Sequence, residues 1–451
     1  MKRRIEEEAV LLTSVAKWLI LATLTGLVVG LATTGFLALL SWSMKLSSRS
    51  NYTYLLLPVA FFLSALIIKY LAPDAEGHGT EKVIEAVHKR AGKIAPLVVP
   101  VKLVATIITL AAGGSAGKEG PCAQIGAGLS SLLADLFKFN DQDRKKLVIC
   151  GISAGFASVF GTPIAGSLFG VEVLFIGGIL YDVLLPSFIA GITSYHVSSL
   201  LGMTYFQHPV KITPVFSETV LFQAIMAGVF FGLCSVVLIE SLDLGKSLFS
   251  KLKVWPPLKG LIGGILLVAL SFISSKEYLG LGLESIESCL SGNSPGWYPF
   301  LWKSVFTSIT LNSGGSGGIV TPIFFIGATS GAFYAQLFGL DIPTFAAIGL
   351  VSLLAGAANT PIAASVMAIE MFGPTIAPYA SVACVISFLM TGHRSVYPSQ
   401  VLQVSKSASI HVQIGGEIQD IEATYEPRES TLIGMARAIY QKLSKHFWRK
   451  N

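Results

Sequence analysis

Charge is what this chain has little of. Only 13% of its residues are Asp, Glu, Lys or Arg, against about 25% in a typical soluble protein. With 52% hydrophobic residues, that scarcity argues against the two or three soluble domains that 451 residues could otherwise form. It points instead to one polytopic membrane domain. C-x-x-C spacing is also missing. Cys122, Cys150, Cys234, Cys289 and Cys384 are scattered, mostly in apolar runs, and read as small buried residues rather than metal ligands or disulfides. No H-E-x-x-H motif is present, and no cofactor is expected. The net charge of +6 comes from loops and chain ends, so no nucleic-acid partner is implied. Met1-Lys2-Arg3-Arg4 precedes the first long apolar run, and Lys442, Lys445, Arg449 and Lys450 lie near the other end. The positive-inside rule then puts both ends in the cytoplasm, with an even number of full crossings. The first run is too long for a signal peptide and reads as a retained helix.

Apolar runs fill the rest. In the first half they cover Trp18–Trp42, Tyr54–Leu71, Leu97–Ala112, Cys122–Phe137, Leu147–Phe160, Pro163–Leu180 and Leu184–Leu201. The second half has Thr219–Leu242, Leu258–Ile273, Trp297–Leu311, Pro322–Phe338, Phe345–Ala357, Pro361–Met371 and Ala377–Leu389. Several are shorter than the roughly 20 residues a crossing needs. Short runs broken by Gly and Pro predict half-helices that meet inside the membrane, where irregular backbone must be buried in protein or line a cavity. Glu81–Arg90 is amphipathic and predicts an interfacial helix. Lys138–Lys146 and Gly202–Ser217 read as polar connectors. After Pro398, Val401–Val404 and Ile410–Ile414 look strand-like, and Leu432–Trp448 predicts an amphipathic helix.

The two halves repeat. Residues 151–172 and 349–370 share eight of 22 positions at an offset of 198, including Thr-Pro-Ile-Ala and a closing glutamate, Glu172 or Glu370. Gly-rich breaks precede both, one ending at Pro121 and the other at Pro322. The fold expected is therefore an all-α polytopic membrane protein. Two structural repeats, about 16–201 and 219–392, pack around a pseudo-two-fold axis, with a ligand site between them near the bilayer midplane. An odd number of crossings per half would require the repeats to be inverted. The transport domain is expected to span 1–398, and 399–451 to form a short cytoplasmic tail.

The first break, Gly113–Pro121, holds the most unusual residue. Glu119 is a carboxylate flanked by Gly117 and Gly120, with Pro121 next, inside a membrane-like sequence. An ionisable group there is costly and marks function by default. Glycine lets backbone approach a ligand, and a helix start offers free N–H groups to an anion. Ionised, Glu119 would occupy an anion's own cradle. Protonated, it would release that cradle. The bland alternative is an ion pair with Lys118 or Lys102. Gly318-Ile319-Val320-Thr321-Pro322 reads as a second cradle or as a flexible turn. His78, in Gly77-His78-Gly79-Thr80-Glu81, could donate to an anion or cap a surface turn, with Thr80 as a helix N-cap. On pattern alone Tyr397 is a membrane-interface tyrosine. Glu172 and Glu370 suit a structural role at a turn. Lys102 either snorkels to the interface or adds positive potential to an anion path.

Three other functions fit the sequence less well. Gly117-Lys118 resembles the end of a P-loop, but Glu119 stands where Ser or Thr is required. Gly314-Gly315-Ser316-Gly317-Gly318 fits G-x-S-x-G, which would make Ser316 the nucleophile of an intramembrane hydrolase; that motif needs a strand before it. A sodium-coupled carrier of organic substrates would need more acidic or amide groups inside the spans.

Taken together, these residues resemble the CLC family of chloride channels and anion/proton exchangers, from about Trp18 to Pro398. Gly117-Lys118-Glu119-Gly120-Pro121 matches that family's G-[R/K]-E-G-P motif. Gly318–Pro322 occupies the G-x-F-x-P position, Gly77–Glu81 the G-S-G-I-P position, and Tyr397 that of the central tyrosine. The resemblance implies that Glu119 gates the path and is a candidate proton carrier. It implies anion contacts at His78, Gly79, Gly117, Gly120, Gly318, Ile319, Val320, Thr321 and Tyr397. It further implies transport of chloride or a similar small anion, a homodimer, and a multi-pass location in the plasma (inner) membrane of a prokaryote. Three departures stand out. His78 replaces the serine tied to chloride selectivity. Val320 replaces phenylalanine, in a stretch resembling the fluoride-exporting branch, which typically has a glutamate at Ile319. Val173 stands where exchangers often carry an inner proton glutamate. The last departure favours channel-like conduction over proton-coupled exchange of chloride or fluoride.

Overall fold

The computed structural model describes residues 2–205, 207–210, 216–425 and Gly434. Among these the chain forms sixteen α-helices, eight in each half. The first eight are α1 (Lys2–Ser47), α2 (Leu57–Leu71), α3 (Thr80–Lys89), α4 (Val98–Ala111), α5 (Glu119–Leu136), α6 (Asp141–Phe160), α7 (Pro163–Glu172) and α8 (Tyr181–Leu200). Their counterparts are α9 (Glu218–Lys251), α10 (Pro256–Ile273), α11 (Leu283–Leu290), α12 (Pro299–Ser313), α13 (Val320–Phe338), α14 (Ile342–Ala358), α15 (Pro361–Phe372) and α16 (Ala377–Met390). Among the described residues, five segments are long and apolar enough to cross a membrane: Glu6–Ser47, Thr53–Leu71, Tyr181–Leu200, Glu218–Lys251 and Pro256–Ile273. Shorter apolar helices fill the space between them.

The repeat is visible in contacts that exchange between halves. Glu172, at the end of α7, accepts the Ile362 and Ala363 N–H groups at the start of α15, at 3.0 and 2.8 Å. Glu370, at the end of α15, accepts those of Ile164 and Ala165 at the start of α7, at 3.0 and 2.8 Å. Each glutamate thus satisfies orphan donors at the other repeat's helix start. The buried lysines follow the same rule. Lys102 donates to the Ala75 and Gly77 carbonyls at 3.2 and 2.5 Å, and Lys303 to those of Tyr278 and Gly280 at 3.1 and 2.8 Å. Lys102 therefore does not snorkel: it is fully buried and holds a loop.

Close helix approach occupies the middle. A Cβ on Gly126 of α5 would lie 2.3 Å from the Gly151 carbonyl oxygen of α6, and one on Gly327 of α13 would lie 2.4 Å from that of Gly349 in α14. Only glycine permits backbones so near.

Several sequence boundaries shift. α5 and α13 begin two residues before Pro121 and Pro322, so each proline is the third helical residue, where its missing N–H is still harmless. Lys138–Lys146 is not all connector, because the Asn140 side chain accepts the Asp143 N–H at 2.8 Å and starts α6. Pro163–Leu180 stops being helical at Glu172. Thr80 is the first residue of α3, and Gly79, at φ +84°, precedes it. The eight-residue α11 was not foreseen.

Past α16 the chain turns back onto the body. Phe175–Ile176 (β1) pairs in parallel with Val401–Leu402 (β2), and Ile410–His411 (β3) pairs antiparallel with Thr424–Tyr425 (β4). Gln400 donates to the carbonyls of Val173 and Ala358 at 2.7 and 2.8 Å, tying this segment to both repeats. The helix expected at Leu432–Trp448 lies outside the described residues, apart from Gly434.

Candidate functional site

The starts of α5 and α13 meet at the repeat interface. Gly117 and Gly318 exchange backbone hydrogen bonds, each N–H to the other's carbonyl at 2.6 Å. These two amides bind each other, so the glycines serve by drawing the helix starts together. The first amides of α5 (Glu119, Gly120) and α13 (Val320, Thr321) have no intrahelical acceptor. The loop before α3 closes on the same point. A Cβ on Gly120 would lie 2.0 Å from the His78 carbonyl oxygen and 3.1 Å from the Gly318 Cα.

Glu119 is 1% exposed and its carboxylate crosses to the second repeat. Oε2 accepts the Thr321 N–H at 3.1 Å and Oε1 accepts the Thr321 hydroxyl at 2.6 Å. Among the described residues it forms no ion pair with Lys118 or Lys102, as the bland reading required. The carboxylate sits where a helix start and a hydroxyl offer donors to negative charge. Ile319 and Val320 are buried beside it and offer backbone, not side-chain polarity.

Tyr397 is fully buried, and its ring centroid lies 5.4 Å from that of His78. It is thus no interface tyrosine, as the family resemblance implied and the residue pattern did not. The Tyr397 hydroxyl, Thr80 Oγ1, His78 Nδ1 and Gln124 Oε1 are buried and make no hydrogen bond. The Thr80 hydroxyl reaches towards that of Tyr397. Unpaired buried polar atoms are costly, about 1–3 kcal/mol each, so each calls for an explanation such as water or an ion. His78 is half-buried in the turn before α3, with Nδ1 turned inward. Gln124 and Thr80 were missed as site residues because their neighbours in sequence are apolar or mark an ordinary helix start.

Two cavities with different linings reach the site. One, about 570 Å³, is lined by Lys118, Glu119, Tyr205, Glu287, Thr321 and Phe324 among others. The other, about 670 Å³, reaches His78 and Glu81 from the side where Pro398, Ser399 and Gln419 lie. Tyr397 lines neither. Glu119 thus faces the first cavity, and His78, the ring neighbour of Tyr397, faces the second. Glu81 lies on α3, outside the spanning segments, and burial pushes its carboxyl up to about 7 against the opposing Ser399 hydrogen bonds. Ser316 has no catalytic setting: its hydroxyl lies 3.2 Å from that of Thr106, mirroring Ser115 and Thr307 at 3.1 Å.

A helical membrane fold with two exchanged half-helix starts, a carboxylate across them and vestibules on both sides defines a transport protein. Residues 60–392 match the family model described as voltage gated chloride channel, and the chain belongs to this CLC family. A chloride/fluoride channel protein of Pseudomonas syringae pv. tomato is 37% identical over 414 residues, covering 90% of this chain and 91% of that one. The H(+)/Cl(-) exchange transporter ClcA of Klebsiella pneumoniae is 27% identical, covering 78% and 80%. A solved CLC-type fluoride/proton antiporter superposes with TM-score 0.81 at 28% identity, covering 86% of this chain and 98% of that one. A slow cyanobacterial Cl-/H+ antiporter shares the fold at TM-score 0.71 and 22% identity, covering 83% and 94%. The chain is an integral membrane anion transporter and not an enzyme.

Proposed function

We propose that the chain passes chloride or a similar small anion, fluoride included, along a path gated by Glu119. The observation that carries this is the docking of the Glu119 carboxylate on the amide and hydroxyl of Thr321. Those are the donors a small anion needs. While ionised, Glu119 excludes the anion by charge and by position. Once protonated, it loses its claim on them, and the anion can bind at the helix starts. Tyr397, Thr80 and His78 supply buried polar atoms for the next position inwards. Ile319, Val320, Gly79, Gly117, Gly120 and Gly318 shape the backbone around both.

Val173, fully buried and carrying no charge, supports channel-like conduction. Proton-coupled exchange is the second reading. It is favoured by the likeness to the fluoride/proton antiporter and by a second carboxylate, Glu81, on the opposite cavity. Residues 1–398 form the transport unit. The basic chain ends place the Ser399 side in the cytoplasm. A homodimer in a prokaryotic plasma membrane is part of this reading: the family resemblance supports the dimer, and the bacterial relatives support the membrane. The deciding experiment loads proteoliposomes with chloride or fluoride and records anion efflux and proton uptake together. Efflux without coupled proton movement is expected. Fixed stoichiometric proton movement against an imposed gradient would replace conduction with exchange.

A further inference from the structure

Glu81 lines the second vestibule and follows Thr80, a member of the buried polar cluster, directly in the chain. Its Oε1 accepts both the N–H and the hydroxyl of Ser399, at 3.0 and 2.5 Å. Its Oε2 is buried and has no hydrogen-bond partner. No lysine pairs with it among the described residues, since neighbouring Lys82 binds Glu85 at 3.0 Å. One side of Glu81 faces the cavity. The next residue back, Thr80, carries an unpaired hydroxyl that reaches towards Tyr397. The Tyr397 hydroxyl feels the charge of both Glu81 and Glu119. The His78 ring lies tilted against that of Tyr397, and its backbone packs against Gly120.

We propose that Glu81 is the proton-binding group at the Ser399-side mouth, taking protons from vestibule water and exchanging them with Glu119 through the Thr80, Tyr397 and His78 cluster. The balance is simple. Glu81 gives its proton to the cluster, the cluster gives one to the Glu119 carboxylate, and a hydronium ion restores Glu81. Glu119 becomes neutral and leaves the Thr321 donors. This rests on Glu119 being the gate. It does not need Val173 to carry a proton: protonation from the Ser399 side opens the gate without obliging a proton to cross with each anion.

Other charges face the same vestibule. Lys82, Glu85 and Lys89 come from α3 itself, Glu76 from the preceding loop, and Asp243 and Lys246 from α9. Lys69 of α2 and Lys259 of α10 complete the set. Lys89 is paired with Glu417 at 3.0 Å. None of these lysines reaches the Glu81 carboxylate, so desolvation sets its titration near neutral pH.

The test measures anion efflux from proteoliposomes between pH 5 and 9, about the range needed to follow one group through its titration. Wild type should show flux rising as pH falls through about 7. Glu81→Gln should lose that step and retain whatever pH dependence Glu119 itself confers. Ser399→Ala removes a hydrogen bond that favours the ionised form, so its step should move to higher pH with the carboxylate intact. A wild-type profile in Glu81→Gln, or a Ser399→Ala midpoint that stays put or falls, overturns the proposal. If Glu81→Gln fails to fold, Ser399→Ala decides alone. Glu119→Gln in parallel separates the two ideas: an unchanged profile there overturns the gate, whatever Glu81 does.

Discussion

The carboxylate of Glu119, from the first repeat, is held by the amide and the hydroxyl of Thr321, from the second. A gate built this way has its latch in the opposite half of the chain. The exchanged helix caps and the Gly117–Gly318 bridge fix the distance between them. The consequences can be checked residue by residue.

Thr321→Val removes the hydroxyl and keeps the amide. A hydrogen bond to a charged group contributes about 1.5–3 kcal/mol, and about 1.4 kcal/mol is tenfold in an equilibrium. The ionised gate should therefore open roughly 10- to 100-fold more often. Anion efflux at alkaline pH should rise, and Thr321→Ser should restore it. Unchanged alkaline efflux in Thr321→Val would count against the latch.

Tyr397→Phe separates binding from folding. Only the Thr80 hydroxyl approaches it, and the two make no full hydrogen bond, so its removal should leave thermal stability within about 0.5 kcal/mol. Anion affinity, measured by titration calorimetry, should fall. A large loss of stability with unchanged affinity would mean that the hydroxyl is structural.

The exchanged caps should be unequal. Glu172 is 5% exposed and Glu370 is more open. Alanine at either position should lower the unfolding temperature by an amount equivalent to about 1–2 kcal/mol, with Glu172→Ala the more damaging. Anion selectivity should not change in either variant.

Gly120→Ala should abolish transport, because its Cβ would meet the His78 backbone oxygen at 2.0 Å. Gly35→Ala, on an open face of α1 with nothing within 4 Å, should be close to silent. Thermal scans and efflux on both variants distinguish a packed junction from general glycine sensitivity.

Burial of Glu81 should make stability depend on pH. Its carboxyl is raised from 4.5 to about 7 in the folded chain, so the unfolded chain ionises first as pH rises. Stability is then highest below pH 4.5 and declines as pH rises through about 7. Glu81→Gln should flatten that decline in detergent melts. An equally steep decline in the variant would assign it to other groups.

Much of this was legible in the sequence because it is written locally. Apolar runs, the Thr-Pro-Ile-Ala echo and the Gly-Lys-Glu-Gly-Pro break each carry their signal in a short window. The helix cores were therefore right, and so was the pairing of the Gly117 and Gly318 breaks. What was hidden depends on distance in space. Thr80 reads as an ordinary cap, yet Gly79 at φ +84° shifts the helix start and frees its hydroxyl. Lys102 reads as a snorkelling lysine, because only the fold brings the Ala75 and Gly77 carbonyls to it. Glu81 looked like one of several charges on an amphipathic helix until Ser399, from beyond the last span, was found on it. Proline misled in one respect: Pro121 and Pro322 mark the helix starts but are not their first residues.

The central claim is that an ionised Glu119 occupies the anion's site. The most direct measurement is the pH profile of chloride and fluoride efflux from proteoliposomes holding Glu119→Gln. The neutral side chain should leave the path open, with efflux at pH 8 as fast as at pH 5. A variant that keeps the wild-type pH profile would contradict the account.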